Sequence, residues 1–452
     1  MASSLTSTRA TVEVIPSARR LVGSLRDLGY DFVHAIADLV DNSIAAGAGR
    51  VVIDLKWSGP DSWVRVIDNG TGMSGTEITE AMRFGSERDY QVDDLGKFGL
   101  GLKTASLSQC RRLTVASRMD RSQRRIEVRR WDLDYVQKSN KWEIEVVGSG
   151  DRPDTLIQPL QEHTGTVVLW ESLERVLKYK VAWGDNSKNA LYRLAEQLDQ
   201  HLGMVFHRFL SGEARRRKKL TITVNGTAVE PWDPYASGEK ATEVFPPKEF
   251  ELHTDNGKGI VRYQPYVLPT KEKFSSVQAF ERMSGPERWN RQQGFYIYRA
   301  DRMIQSGGWS RMRTADEHTK LARAAIDFYP DLDPAFEVNV AKFRVTLPPE
   351  LKDQLEEPVE RLVKRAKSVY GGQNSNGSQG SFASRGGGNS THGTGRPKGG
   401  AGRGTTSGHL SRVSVKSALE RAAADAGETE AFRKIIRALV KRFPELAHEF
   451  GF

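Results

Sequence analysis

Asp38, Asp41 and Asn42 stand in the stretch IADLVDNSIAAGA, residues 36–48, at spacings of three and four. On a helix such positions are neighbours, so two carboxylates and an amide can act on one object. Val33, Ile36, Ala37, Val40 and Ile44 give the same helix an apolar face. A solvated polar stripe accounts for the pattern as well, although two like charges and an asparagine weaken a helix unless something binds there.

Three later segments carry further chemistry. In VIDNGTGM, residues 66–73, a strand delivers Asp68 into a turn holding Gly70 and Gly72, followed by Met73. A carboxylate so placed can accept a hydrogen bond from an exocyclic amine such as that of adenine, and Gly72 leaves room for a flat ring. DNG is equally a common β-turn. In GKFGLGLKTAS, residues 96–106, Gly96, Gly99 and Gly101 precede a helix start and can aim backbone N–H groups at phosphate oxygens, with Lys97 and Lys103 adding charge. In HTGTVVLW, Thr166 enters a strand directly after Gly165, a feature that says nothing by itself.

The elements that must position these groups alternate between helices and strands from about residue 12 to 195. Helices over 17–28 and 31–46 precede the β-rich runs RVVIDLKW and WVRVIDNG, and RLTVASR, QRRIEVRRWDL, WEIEVVG and GTVVLWESL alternate like strands of a largely antiparallel sheet. The pattern predicts an α+β sandwich with helices on one face. A second unit over 196–370 starts with a helix at NALYRLAEQLDQHLGMVFHRFL. It continues through the strands KLTITVNG, AVEPW, GFYIYRADRMIQSGGW, RAAIDFYP and EVNVAKFRVTLP to a closing helix. Residues 371–410, rich in Gly, Ser, Thr and Asn, read as a flexible basic linker, and 411–452 as a short helical tail.

At 452 residues the chain has room for two or three cores, and its mean hydropathy and 42 glycines point to a disordered part. The net charge of +10 permits contact with a polyanion; the excess gathers in RSQRRIEVRR, 121–130, and EARRRKKL, 213–220. A single cysteine, Cys110, excludes an internal disulfide framework and a cysteine-rich zinc site, and reads as a buried inert thiol. No run reaches membrane-spanning length and the first residues lack a secretory core, so a cytoplasmic location is expected.

Taken in order, DLVDN, DNGTGM, GKFGLG and the GT at 165–166 resemble the four motifs of the GHKL ATPase superfamily of gyrase B, the ninety-kilodalton heat-shock chaperones, histidine kinases and MutL. The resemblance implies a GHKL (Bergerat) α/β sandwich followed by an S5-like α/β transducer domain, with ATP and Mg²⁺ as cofactors. It makes Asn42 the magnesium ligand, Asp68 the partner of the adenine amine with Thr166 assisting through water, and Gly96, Gly99 and Gly101 the wrap around the triphosphate. Asp41, Gly70, Gly72, Met73, Lys97, Phe98, Leu100 and Lys103 complete the expected nucleotide site.

The family's general base is usually a glutamate. Here Asp38 stands in its place, one methylene shorter, so slow hydrolysis is expected. GFYIYRADRMI and FEVNVAKFRVTLP are similar to the second half of MORC-like and MutL-like proteins, which implies that Lys342 reaches the γ-phosphate. A homodimer closed by ATP, sequence-independent DNA contact, a separate nuclease or effector subunit and a part in bacterial restriction or phage defence are what such relatives imply. The alternative is a chaperone-like ATPase that remodels a partner protein without binding DNA.

Overall fold

The structure, a computed structural model, describes residues 12, 14–27, 30–85, 101–119, 125–178, 181–254, 257–338 and 345–376, with Glu430, Phe432 and Ile436. Most of the expected tail and of the linker therefore lies outside the described residues. Among the described residues no helix is long and apolar enough to cross a membrane.

The first sheet grows from strands whose apolar residues alternate. In β1 (Arg50–Lys56), Val51, Ile53 and Leu55 are buried while Arg50 and Lys56 are exposed, the period of two that half-buries a strand. It is joined by β2 (Trp63–Asp68), β3 (Arg112–Arg118), β4 (Glu127–Asp132), β5 (Glu145–Val146), β6 (Gly165–Glu171), β7 (Thr221–Val224) and β8 (Thr227–Ala228). The order is β5-β4-β3-β6-β2-β1-β7-β8, antiparallel except where β1 meets β7. β6 is central and buried along almost its whole length.

Helices α1 (Ala18–Arg26), α2 (Phe32–Ala45), α3 (Gly75–Ala81) and α4 (Gly101–Gln109) accompany this sheet. Asp31 caps α2 by accepting the His34 N–H at 2.9 Å, and Gly47, at φ +72°, follows its end. The main core unites Ile36, Val40 and Ile44 of α2 with Val51, Ile53, Val66 and Trp170. The opposite face is not bare, as an arrangement with helices on one face had suggested. Ala116, Val128, Val167 and Leu169 form a smaller cluster there with Leu156 and Leu160, from the short helix Asp154–Ile157 and the turn after it.

The second sheet contains β9 (Glu243–Val244), β10 (Lys248–Thr254), β11 (Gly257–Val267), β12 (Gly294–Arg299), β13 (Arg302–Ser306) and β14 (Ala322–Phe328). Its order is β10-β11-β14-β12-β13, with β9 beside β11; β12 and β14 are parallel and the rest antiparallel. The helix Pro349–Asn376 buries Leu351, Leu355, Val359, Leu362 and Ala366, spaced as one helical face. The chain is thus α+β, and its second mixed-sheet domain is consistent with the transducer unit expected from sequence.

Several expectations change. A division at 195/196 falls inside the helix Asp185–Val205, and β7 and β8, read as part of the second unit, complete the first sheet. Their partner β1 lies far back in the chain, and nothing in local periodicity encodes a parallel pairing of that kind. The hairpin β10–β11 escaped the sequence reading because β10 alternates weakly, only Leu252 being fully buried. The closing helix continues through Gly371 and Gly372 to Asn376, beyond the expected start of the linker. Of EVNVAKFRVTLP, residues 339–344 lie outside the described residues, and Val345 and Leu347 are buried without forming a strand.

Candidate functional site

Asp68 ends β2, and the sheet register sets Thr166 of β6 directly opposite it. Two segments distant in sequence are therefore adjacent through ordinary antiparallel pairing. The carboxylate accepts the Gly70 N–H at Oδ1, 2.8 Å, and at Oδ2 faces the Ser43 hydroxyl of α2, 3.3 Å away. That hydroxyl is shared with the Leu39 carbonyl at 3.1 Å. Burial pushes the Asp68 carboxyl up to about 6, against the lowering effect of the Gly70 N–H, Ser43 and the Thr166 backbone.

The turn after Asp68 is bound tightly to its surroundings. Asn69 Oδ1 accepts the N–H groups of Gly49 and Arg50 at 3.0 and 2.9 Å, and the Thr71 N–H reaches the Ala46 carbonyl at 3.0 Å. Gly72 has φ +73°, and a Cβ there would lie 2.1 Å from the Arg118 carbonyl oxygen. Close backbone packing therefore requires this glycine. Gly165 is required likewise, since a Cβ would lie 2.0 Å from the Asp68 carbonyl oxygen. The Ser117 hydroxyl ties the two segments together: it accepts the Met73 N–H at 2.8 Å and lies 2.8 Å from the Gly165 carbonyl and 3.0 Å from Thr166 Oγ1.

On α2 the polar cluster separates into three environments. Successive residues turn by about 100°, so positions 38 and 42 are about 40° apart, whereas 41 and 42 diverge by about 100°. Asn42 is exposed. Asp38 is buried, and its Oδ2 accepts a hydrogen bond from the Tyr30 hydroxyl at 3.0 Å. Burial first, and then the Asp38 charge, push the Tyr30 hydroxyl well above the usual phenol range. A Cβ on Gly101 would lie 3.7 Å from Asp38 Oδ2, so the start of α4 stands against this carboxylate.

Asp41 is fully buried and faces the second sheet, where Arg302 Nε lies 3.0 and 2.9 Å from its two oxygens. Asp41, expected behind Asn42 in the nucleotide site, is thus held by the second sheet, and its position around the helix turns it away from Asn42. Lys103, expected to add charge for a phosphate, is instead buried and donates to the Arg83 carbonyl at 2.7 Å. Burial brings its ammonium down to about 8, with Glu80 opposing the shift.

Gly96, Lys97, Phe98, Gly99, Leu100 and Lys342 lie outside the described residues. Cys110 is buried, and burial pushes its thiol up, as an inert role requires. Sequence reasoning missed Tyr30, Ser43, Ser117 and Arg302. Ser43 directly follows Asn42 and so had a positional signal; the others carry none, because their partners are set by the tertiary fold.

The two basic runs differ. In the first, Arg129 and Arg130 pair with Glu127 and Glu145, at 3.3 and 3.2 Å, and Arg125 also pairs with Glu127. In the second, Arg215, Arg216, Lys218 and Lys219 are exposed. Arg216, Arg217 and Lys218 line a pocket beside Gly47 and Ala48, just past the end of α2.

Residues 30–164 match the family described as histidine kinase-, DNA gyrase B-, and HSP90-like ATPase. The chain is 30% identical over 138 residues to the DNA mismatch repair protein MutL of Pasteurella multocida (strain Pm70), covering 29% of this chain and 19% of that protein. It is 40% identical over 89 residues to MutL of Rippkaea orientalis, covering 18% and 15% respectively. Over 88 residues it is 40% identical to MutL of Tolumonas auensis, again covering 18% and 15%. The chain thus spans less than a fifth of the length of these curated relatives.

Proposed function

Because residues 30–164 form a GHKL-type ATPase domain with distant similarity to the N-terminal region of MutL, we propose that this protein binds and hydrolyses Mg²⁺-ATP and uses the cycle to close a dimer on DNA. One observation carries the reading of the site. Ser43 just after the helix motif, Gly70 of the turn motif and Thr166 of the later strand converge on Asp68.

In this reading Asp68 accepts the adenine amine, and Ser43 and the Gly70 N–H fix the direction of its oxygens. Asp38 takes the proton of the attacking water while Tyr30 holds one of its oxygens. Asn42, exposed on the neighbouring turn, offers an amide oxygen of the hard type that Mg²⁺ prefers. Mg²⁺ held there would supply charge neutralisation to the triphosphate.

The Asp68 shift gives a prediction of two opposite signs. Its carboxyl rises from 3.8 to about 6 on folding, so its contribution to stability is full below pH 3.8 and is lost as pH rises through about 6. Nucleotide affinity should run the other way, because the ionised carboxylate is the better acceptor for the amine. Titration calorimetry should show affinity for an ATP analogue falling below pH 6, approaching tenfold per pH unit, with Asp68→Asn weak and flat. A wild-type affinity constant from pH 5 to 7.5 would remove Asp68 from the adenine contact.

The exposed Arg215, Arg216, Lys218 and Lys219 support a sequence-independent DNA contact. Replacing Arg216, Lys218 and Lys219 by Ala should lower DNA retention and flatten its log–log salt dependence by up to about 3, near 0.9 per lost phosphate contact. An unchanged slope would place the DNA contact elsewhere.

The deciding experiment is the mass in solution without nucleotide, with ADP and with a non-hydrolysable ATP analogue, each with and without closed circular DNA. Conversion to a dimer that retains DNA only with the analogue is the expected result. Nucleotide binding with neither change would overturn the clamp and leave the ATPase.

A further inference from the structure

The tip of the β12–β13 hairpin is where the second sheet holds the nucleotide helix. Ala300 and Asp301 form its two-residue turn at φ 47° and 68°, the left-handed pair of a type I′ turn. Residues other than Asn and Gly persist there when their surroundings over-determine the backbone. Here the surroundings come from the first domain. Ala300 packs on its core. Asp301 receives Arg208 at 3.1 Å and the Arg215 N–H at 2.8 Å, and the Tyr298 hydroxyl lies 2.8 Å from His207 Nε2.

Arg302 completes the set through its pair with Asp41, and the two side chains are 2% and 0% exposed. A pair so shielded from solvent is only weakly screened and is stiff in direction. Asp41 adjoins Asn42 and follows Asp38 by one helical turn, so a movement of Arg302 rotates the very turn that presents both groups. We propose that Arg302 is a positioning residue: through Asp41 it sets the rotation of α2 and carries the nucleotide state of the site to the second sheet. It touches no nucleotide itself. The inference rests on the reading of α2 as the nucleotide helix and adds to it the route by which the two domains are coupled.

The test uses the full chain in three forms. The Asp41→Leu/Arg302→Met double variant replaces both partners, so that neither charge is left buried alone. Arg302→Lys keeps the charge and loses the fork. Affinity for a non-hydrolysable Mg²⁺-ATP analogue, kcat, KM, and hydrogen exchange across residues 294–306 with and without the analogue are measured in each. The double variant should bind within threefold of wild type and lose at least tenfold in kcat with KM little changed. Nucleotide should no longer alter its exchange at the hairpin, and Arg302→Lys should recover part of both signals.

A double variant with kcat within twofold of wild type and a hairpin that still responds overturns the proposal and leaves the pair a structural staple. If the double variant does not fold, Arg302→Lys decides on the same two readouts. Failure of the wild type itself to bind the analogue overturns the nucleotide site, and the coupling with it. The wild-type arm alone distinguishes that result.

Discussion

Asn42→Ala should reduce ATP hydrolysis by at least about a hundredfold, the loss typical when a group aimed at developing charge is removed. The same change should leave stability within about 0.5 kcal/mol, because Asn42 is exposed and alanine is the better helix former. Phosphate release and urea denaturation of the same preparation check the two halves together. The contrast matters: a dead enzyme with an intact melting curve places Asn42 in the chemistry, whereas a variant hydrolysing at the wild-type rate removes it from cation binding. A change at Asp41, the adjacent residue, should cost stability as well, since its carboxylate is buried against Arg302.

Arg302→Ala is expected to produce the largest loss of stability, about 3–5 kcal/mol, because it leaves the Asp41 charge buried without this partner. Net stabilities of about 5–15 kcal/mol mean that such a loss can unfold much of the population at 37 °C. Replacing both partners by apolar residues should restore most of it, since the cost comes from a buried charge deprived of Arg302 more than from a missing attraction. Urea midpoints of the single and double variants provide the measurement. A single variant within about 1 kcal/mol of wild type would show that water reaches Asp41 when Arg302 is absent.

Both expectations depend on which side of one short helix each residue occupies, and this divides what was legible in the sequence from what was not. The helix itself was legible: Ile36, Val40 and Ile44 recur at helical spacing and are buried as expected. So was the convergence of Asp68 with Thr166, since the order of the motifs anticipated it and the β2–β6 register delivers it. The burial of Asp41 against Arg302 was not. Adjacency in sequence suggested a shared ligand, but Arg302, which pairs with the buried Asp41, sits in a hairpin 261 residues further along the chain.

By itself the sequence determined the fold class, the GHKL-type character of the first domain and the helix and strands that carry its motifs. Each of these is written in local spacing: a period of two for β1, a helical period for α2, and short motifs in a set order. Tertiary structure alone decided that β7 and β8 close the first sheet and that Ser117 joins the turn motif to the later strand. It also decided that Gly72 serves backbone packing, that Lys103 is turned inward and that Arg302 meets Asp41. These are contacts between segments far apart in the chain, and their partners are chosen by how whole layers pack.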